Sequence, residues 1–465
     1  MNRTAVLNVV GLTESLLGEH TPRINAFRQK GALAYIAPAF PAVTCTAQSN
    51  YITGKSPAAH GIVANGWYNR EQAEVQFWKQ SNHLVTAPKV WDELHAADPS
   101  FTCAKMFWWY NMYSTADWSM TPRPMYPADG RKFFDVYAWP HDVRAEMKRD
   151  LGEFPFPGFW GPVAGVDSPQ GKADCATRWI AESAKWIEEK KQPTLNLVYL
   201  PHLDYNLQRL GPNDPRIAKD LREIDAIVGD LIEFLAKRGI RVLLLSEYGI
   251  TPVDTPLHLN RLFREQGWIT IKEEQGLELL DCGNSRAFAV ADHQVAHIYI
   301  NDRSIESKVR ALLEKTLGVA QVMGAAEKKT AGIDHTRAGD LIAVAAENAW
   351  FTYYYWLDDA RAPDFARCVD IHRKPGYDPV ELFLDPQIPA VKLKILWRLL
   401  QKKLGFRMLM NVIPLDATLV KGSHGCRPKN RGDWPLLIAS SSAHLPETQL
   451  DSTEVYSIIK RLLLS

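Results

Sequence analysis

Residues 195–246 constrain the fold more than any other stretch. "LNLVYL" at 195–200 and "IRVLLLS" at 240–246 are short, continuous apolar runs. Such runs belong to parallel strands whose two faces are both covered. Between them Ile217, Leu221, Ile224, Val228, Leu231 and Leu235 recur at helical spacing, which describes a helix with one apolar face. Asp214 suits the cap of that helix, Pro215 its first turn and Gly239 its stop. Strand, helix, strand in this order predicts an open, mostly parallel α/β sheet. "AVLNVVGL" at 5–12 and "ALAYIAPAF" at 32–40 read as two further strands.

Two stretches break the alternation. Residues 107–170 are rich in aromatics and prolines, and residues 329–420 contain "WFTYYYW" and "DIHRKPGYDPVELF". Both are expected to be insertions that cap the end of the sheet, around a core made of 1–106, 171–328 and 421–465. "STEVYSIIKRLLL" closes the chain as an amphipathic helix with a Ser/Thr cap near Glu454. The net charge of +1 gives no global attraction to nucleic acid or to a membrane surface. No run of about 18 apolar residues and no leader-like start occurs, so the reading is a cytoplasmic protein that does not enter a membrane. Its six cysteines lack paired spacing and are expected as reduced thiols.

In open α/β sheets ligands gather beyond the carboxyl ends of the strands. Four segments deliver chemistry there. The hydroxyl-rich stretch 41–63 supplies Thr44 after the second strand. "PHLDYNLQRLGP" supplies Asp204, "SEYG" supplies Glu247, and "KGSHGC" supplies His424. A threonine where a strand hands over to a helix sits beside free backbone N–H groups and the positive end of the helix dipole. That setting favours an anion and the alkoxide, and a metal would lower the hydroxyl pKa further. Capping the helix is the plain alternative for Thr44. Thr46 and Ser49 are expected on the helix surface.

At these residues the chain resembles the alkaline phosphatase superfamily, in its type I phosphodiesterase/nucleotide pyrophosphatase branch. The match runs in order from "VVGLTESLLG" through Thr44, "YITG" and "SPAAHGIVANGWYN" to "GSHG". The resemblance implies a three-layer α/β/α sandwich, a nucleophilic threonine at 44 and displacement at phosphorus across two zinc ions. It also implies six metal-ligand positions, and here this chain departs from the family. Val10, Gln208 and Tyr248 stand where the family has Asp, His and His, and Glu247 replaces an Asp. Asp204 and His424 are kept. The second metal site is thus doubtful, and Asp204, His424 and Glu247 are expected to hold one Zn²⁺, Mn²⁺ or Mg²⁺. Glu14, His202, Asp292 with His293, and Asp370 with His372 are the candidates to refill the site.

Gln208 and Tyr248 are expected to donate hydrogen bonds where zinc neutralised charge. His372, Arg373 and Lys374 are expected at a phosphate or carboxylate. His60 is expected to support the nucleophile helix and His258 to start a helix, with His83, His95 and His141 structural. The implied function is a phosphoesterase-like hydrolase acting on a small phosphorylated, nucleotide-like substrate, with no nucleic-acid partner. Two alternatives stand beside it: a non-catalytic binding or scaffold descendant, and the same fold acting on a sulfate or phosphonate.

Overall fold

The computed structural model describes residues 1–165 and 175–465. The expected boundary between cap and core at 170/171 lies outside the described residues.

Nine strands form the central sheet. Their order is Gln449–Asp451, Ala32–Ala37, Leu436–Ala439, Arg241–Leu245, Thr4–Val9, Leu195–Leu200, Cys103–Met106, Trp118–Pro122 and Val136–Trp139. Thr4–Val9 lies at the centre, parallel to both neighbours and in register with Leu195–Leu200 from Thr4↔Leu195 to Val9↔Leu200. Only Leu436–Ala439 and Val136–Trp139 run against the rest. The sequence-predicted strands all exist, and every residue of Thr4–Val9 and Leu195–Leu200 is buried. The helix Ile217–Ala236 buries Ile217, Leu221, Ile224, Val228, Leu231 and Leu235 on the sheet. Each such side chain contributes roughly 1.5–3 kcal/mol of transfer free energy. Asp214 accepts a hydrogen bond from the Arg216 N–H, 2.9 Å, ahead of the helix and does not cap it.

Both expected caps differ from expectation. Residues 107–170 contribute two strands, Trp118–Pro122 and Val136–Trp139, to the central sheet itself. Many of their aromatics are packing residues: Phe107, Phe154 and Phe159 form a ring cluster with Trp179 of the helix Ala176–Lys190. The segment 329–420 does not stand apart from an expected core reaching 328. Strands Ala287–Asp292, Val295–Ile300, Val319–Met323 and Leu341–Ala345 build a separate antiparallel sheet. Trp350, Tyr353, Tyr354, Tyr355 and Trp356 are fully buried in the core under that sheet. Large rings with no solvent face are there because this sheet needs its own core.

All six cysteines are free thiols. Among the described residues, no helix is long and apolar enough to cross a membrane.

Candidate active site

Three strands that run in the same direction end at one edge of the sheet, and the chain after each one turns toward the same point. After Leu195–Leu200 the helix His202–Leu210 begins and presents Asp204. After Arg241–Leu245 come Ser246, Glu247 and Tyr248, all buried. The chain after Ala32–Ala37 enters the helix Thr44–Thr53. Val43, with extended backbone, is the cap residue of that helix, and Thr44 is its first helical residue with no capping hydrogen bond. Its side chain points elsewhere. Thr46 and Ser49 are not surface residues: both are fully buried, because the whole helix is sunk between the sheet and the segment behind it. His60 binds Asn50 through Nε2, 2.7 Å, and so anchors this helix as expected.

Thr44 Oγ1 lies 3.1 Å from the Tyr248 hydroxyl. The Tyr248 hydroxyl also bonds Asp204 Oδ1, 3.1 Å. Either oxygen can be the donor between Thr44 and Tyr248, which leaves the Thr44 proton free to turn to Glu247. Asp204 Oδ2 accepts from Gln208 Nε2, 2.8 Å, and Gln208 Oε1 accepts from the Tyr377 hydroxyl, 2.9 Å. One hydrogen-bonded chain thus runs from Thr44 to Tyr377. On its other side Thr44 faces the Glu247 carboxyl. Asn8 and Gln48 both donate to Glu247 Oε1, and Oε2 has no partner. Glu247 therefore occupies a pocket of amides.

Two imidazoles complete the group. His424 Nδ1 lies 2.7 Å from the Ala42 carbonyl, which can only accept, so Nδ1 carries the proton and Nε2 its lone pair. His293 Nδ1 lies 2.7 Å from Asp292 Oδ1, which fixes the same tautomer. Both Nε2 atoms are buried and unpartnered. The His293 ring lies between His424, with centroids 3.7 Å apart, and Tyr377, at 3.5 Å. His424 also stacks on Tyr248 at 3.6 Å. His293 sits at φ +60° in the turn between Ala287–Asp292 and Val295–Ile300. A histidine in this left-handed region is strained, and the neighbours hold it there. The Gln294 N–H binds the His424 carbonyl, 2.9 Å, and the Phe351 N–H binds the His293 carbonyl, 2.8 Å. Asn65 ties Asp292 to the helix Thr44–Thr53, donating twice to its carboxylate and accepting from the Cys45 N–H.

Burial dominates the electrostatics. It pushes Asp204 up to about 7, against hydrogen bonds from Tyr248 and Gln208. It pushes Glu247 up to about 8, against Gln48, Asn8 and Thr44. It holds His293 and His424 well below their usual range, so both rings are neutral. Three indoles rim the group: Trp78 and Trp160 lie 6.0 and 5.7 Å from the Tyr377 ring, and Trp78 lies 4.8 Å from Trp109.

Several expected site residues are elsewhere. Lys374 is buried between Asp378 and Glu381, both at 2.7 Å, and can meet no substrate. Arg373 pairs with Asp364 at 3.1 Å on the surface, and exposed His372 leans on the Phe77 carbonyl. The Asp370 N–H binds Glu381. Glu14 accepts from Tyr35 and pairs with Arg28. His202 begins a helix and turns its ring away from Asp204, to Glu223 at 3.1 Å and Asp220 at 3.4 Å. Burial alone would lower His202, but the Cys175 sulfur and these carboxylates hold it at about 10. His202, Asp220 and Glu223 have ligand atoms all within 4.8 Å of one another, a closer grouping than Asp204, His293 and His424. In this structure the imidazole pairs with both carboxylates, and Cys175 Sγ lies 4.0 Å from its Nδ1.

Tyr377, Asn8, Gln48 and Asn65 were not foreseen. A sequence signal existed for Tyr377 alone. It follows Gly376, where a Cβ would stand 2.5 Å from that of Tyr353. This close approach lets the Tyr377 N–H reach the Ala291 carbonyl, 2.9 Å, and lays its ring on His293.

The sequence profile of the type I phosphodiesterase/nucleotide pyrophosphatase family matches residues 4–378. An uncharacterized pyrophosphatase/phosphodiesterase of Schizosaccharomyces pombe is 23% identical over 266 residues, 53% of this chain and 46% of that protein. Ectonucleotide pyrophosphatase/phosphodiesterase 2 of Saccharomyces cerevisiae is 26% identical over 228 residues, 47% of this chain and 40% of that protein. The matches thus span less than half the length of each of these relatives. Among solved structures, murine ectonucleotide pyrophosphatase/phosphodiesterase 5, in an inactive form with AMP, superposes with a TM-score of 0.59 at 14% identity, covering 100% of this chain and 95% of that one. Phosphonoacetate hydrolase from Sinorhizobium meliloti, with phosphonoformate, gives 0.62 at 13% identity, covering 99% and 96%. These two likenesses establish the fold, and the profile match over four-fifths of the sequence establishes the kinship: the chain belongs to the type I phosphodiesterase/nucleotide pyrophosphatase family.

Proposed function

We propose that the protein hydrolyses a phosphate ester or diester, with Thr44 as nucleophile and one divalent metal ion. The observation that carries this reading is the placement of Thr44 Oγ1 between Tyr248, 3.1 Å away, and the Glu247 carboxyl, beside two buried imidazoles with unpartnered Nε2 atoms.

The residues fit a metal. Two neutral imidazoles and a carboxylate are a familiar divalent-ion donor set, and the two nitrogens suit Zn²⁺ or Mn²⁺ better than Mg²⁺. Asp204, His293 and His424 would hold it, with His424 Nε2 already 3.9 Å from Asp204. His293 then takes the place of the histidine that Gln208 replaces. Asp292 and the Ala42 carbonyl fix the two tautomers from behind, as outer-sphere partners do in metal sites. Bound there, the ion supplies positive charge for a phosphoryl oxygen.

The chain's own residues do the rest. The Thr44 oxygen attacks phosphorus, and its proton passes to Glu247 in its ionised form. The ester oxygen leaves and is protonated from solvent; water then attacks the phosphothreonine, loses a proton to solvent, and Thr44 departs with the proton that Glu247 held. Tyr248 holds Thr44 and Asp204 in line through one hydroxyl. Glu247, mostly neutral at pH 7 with its amide partners, stands at the position where the resemblance implies a metal-binding Asp and adds little charge against an anionic substrate. The indoles of Trp78, Trp109 and Trp160 offer a wall for a ring-bearing leaving group, in keeping with the AMP bound by the murine neighbour.

The test is hydrolysis of a nitrophenyl phosphodiester, with added Zn²⁺ or Mn²⁺, by wild type and Thr44→Ala. Turnover lost in the variant supports the reading; equal rates overturn it. One observation favours a second reading, a binding protein without turnover: Thr44 is only 3% exposed. Protection of the fold by AMP with no turnover of any phosphate, sulfate or phosphonate ester would select that reading.

A further inference from the structure

A surface helix ordinarily turns its apolar stripe inward. The helix Val391–Lys403 does the reverse. None of its residues is buried. Leu393, Leu396, Trp397, Leu400 and, just beyond it, Leu404 follow one another at i, i+3, i+4, i+7 and i+11, and all are 44–67% exposed. Only Val391 and Ile395 turn inward and pack on the second core. Phe406 and Leu409 continue the apolar surface at 65% and 42% exposure.

The charge pattern is as one-sided. From 386 to 415 the chain has Lys392, Lys394, Arg398, Lys402, Lys403 and Arg407, and no Asp or Glu. With 53 acidic residues in 465, about three would be expected in thirty.

The patch extends onto a second segment. Tyr126, Phe133 and Phe134 are 39–53% exposed near the Met125↔Phe133 bridge. Lys402 Nζ lies 5.6 Å over the Phe134 ring and donates to the Lys132 carbonyl. Arg407 donates to the Asp129 carbonyl, 3.2 Å. The two segments therefore form one apolar face edged by cations.

We propose that this face seats the protein on an anionic lipid surface. The leucines and Trp397 enter the boundary between headgroups and acyl chains, and the lysines and arginines meet lipid phosphates. Charge complementarity selects this occupant: a second copy of the chain would bring like cations against each other. At thirteen residues the helix lies on the surface and does not span it. Such seating departs from the expectation, drawn from net charge, of no membrane contact: the balance of the whole chain hides a local excess.

The test is co-sedimentation of the full chain with vesicles of phosphatidylcholine alone or with phosphatidylglycerol added. Three proteins are compared: wild type, a Leu396→Glu/Trp397→Glu/Leu400→Glu variant, and a Lys402→Gln/Lys403→Gln variant. Wild type should bind the anionic vesicles and release them in high salt. The acidic triple variant should bind at least about tenfold more weakly. Each lysine removed should weaken binding about fivefold. The substituted side chains are exposed, so circular dichroism should be unchanged, and the lysine variant decides the matter if the triple variant misfolds. Three outcomes would overturn the proposal: no binding of wild type to anionic vesicles, equal binding by the variants, or a wild-type dimer that the triple variant converts to monomer without any vesicle binding.

Discussion

The imidazoles of His293 and His424 lie with centroids 3.7 Å apart, and each commits Nδ1 to an oxygen behind it and leaves Nε2 bare. In sequence they are 131 positions apart. The Gln294 N–H bound to the His424 carbonyl fastens one loop to the other.

A metal held by this pair should depend on what holds the pair. Asp292→Asn keeps the shape but weakens the acceptor of His293 Nδ1. It should lower affinity for Zn²⁺ or Mn²⁺ tenfold to a hundredfold, the usual cost of an outer-sphere change. Calorimetric titration of the metal-free protein measures this directly. Asp204→Ala and His293→Ala should leave no tightly bound ion on elemental analysis.

Tyr248→Phe removes one oxygen and keeps the ring stacked on His424. It unhooks Thr44 from Asp204 and should cost on the order of a hundredfold in kcat, as loss of an oriented donor does. Thermal unfolding of the variant should move little. A large drop in stability with an unchanged rate would make the hydroxyl merely structural.

Glu247 carries a pH signature. Burial holds it at about 8, with the Asp204 charge adding and Gln48, Asn8 and Thr44 opposing. Tyr248, Tyr199 and Tyr51 also face it and stay neutral, each with its pKa raised by burial. Acceptance of the Thr44 proton needs the charged carboxylate, and that fraction grows as pH rises through 8. The log of kcat/KM should therefore climb with pH and level off above about 8. Glu247→Gln should lose this limb, and a limb that survives would assign it to another group.

Lys105 is fully buried, with Nζ on the Tyr110 carbonyl, 3.0 Å, and 4.7 Å from the Trp91 ring. Burial lowers its pKa to about 7. Below pH 7 the amine is charged in both folded and unfolded chains, and the folded state bears the full desolvation cost. Between 7 and the unfolded value the unfolded chain binds more protons, so stability rises with pH. Lys105→Met should thus stabilise the protein near pH 6 by up to a few kcal/mol, since a tenfold change in proton affinity is worth about 1.4 kcal/mol. The gain should shrink toward pH 10. Urea unfolding at the two values measures it.

The core strands, though not their order in the sheet, were legible because parallel strands covered on both faces are mostly apolar, as Thr4–Val9, Leu195–Leu200 and Arg241–Leu245 are. The rule that ligands collect at strand ends then placed Thr44, Asp204 and Glu247 together. The same rule placed His424 with them, and its likeness to a known motif added to that. The aromatic runs misled, because a ring in a cap and a ring in a core look alike in sequence; Tyr353–Trp356 became the core of a second sheet. The "DIHRKPGYD" segment misled in its charges. Lys374 is consumed by Asp378 and Glu381, four and seven residues on, and the residue that counts there is Tyr377.

The sequence by itself determined the α/β core and its strand ends. These are local matters of periodicity and residue identity. Tertiary structure alone decided that His293 faces His424, that His202 turns away to Asp220 and Glu223, and that a basic, leucine-rich helix shows its apolar stripe to the outside. Each depends on which surfaces meet across long stretches of chain. Hydrogen bonds and packing between distant segments set those meetings, and no spacing along the chain encodes them.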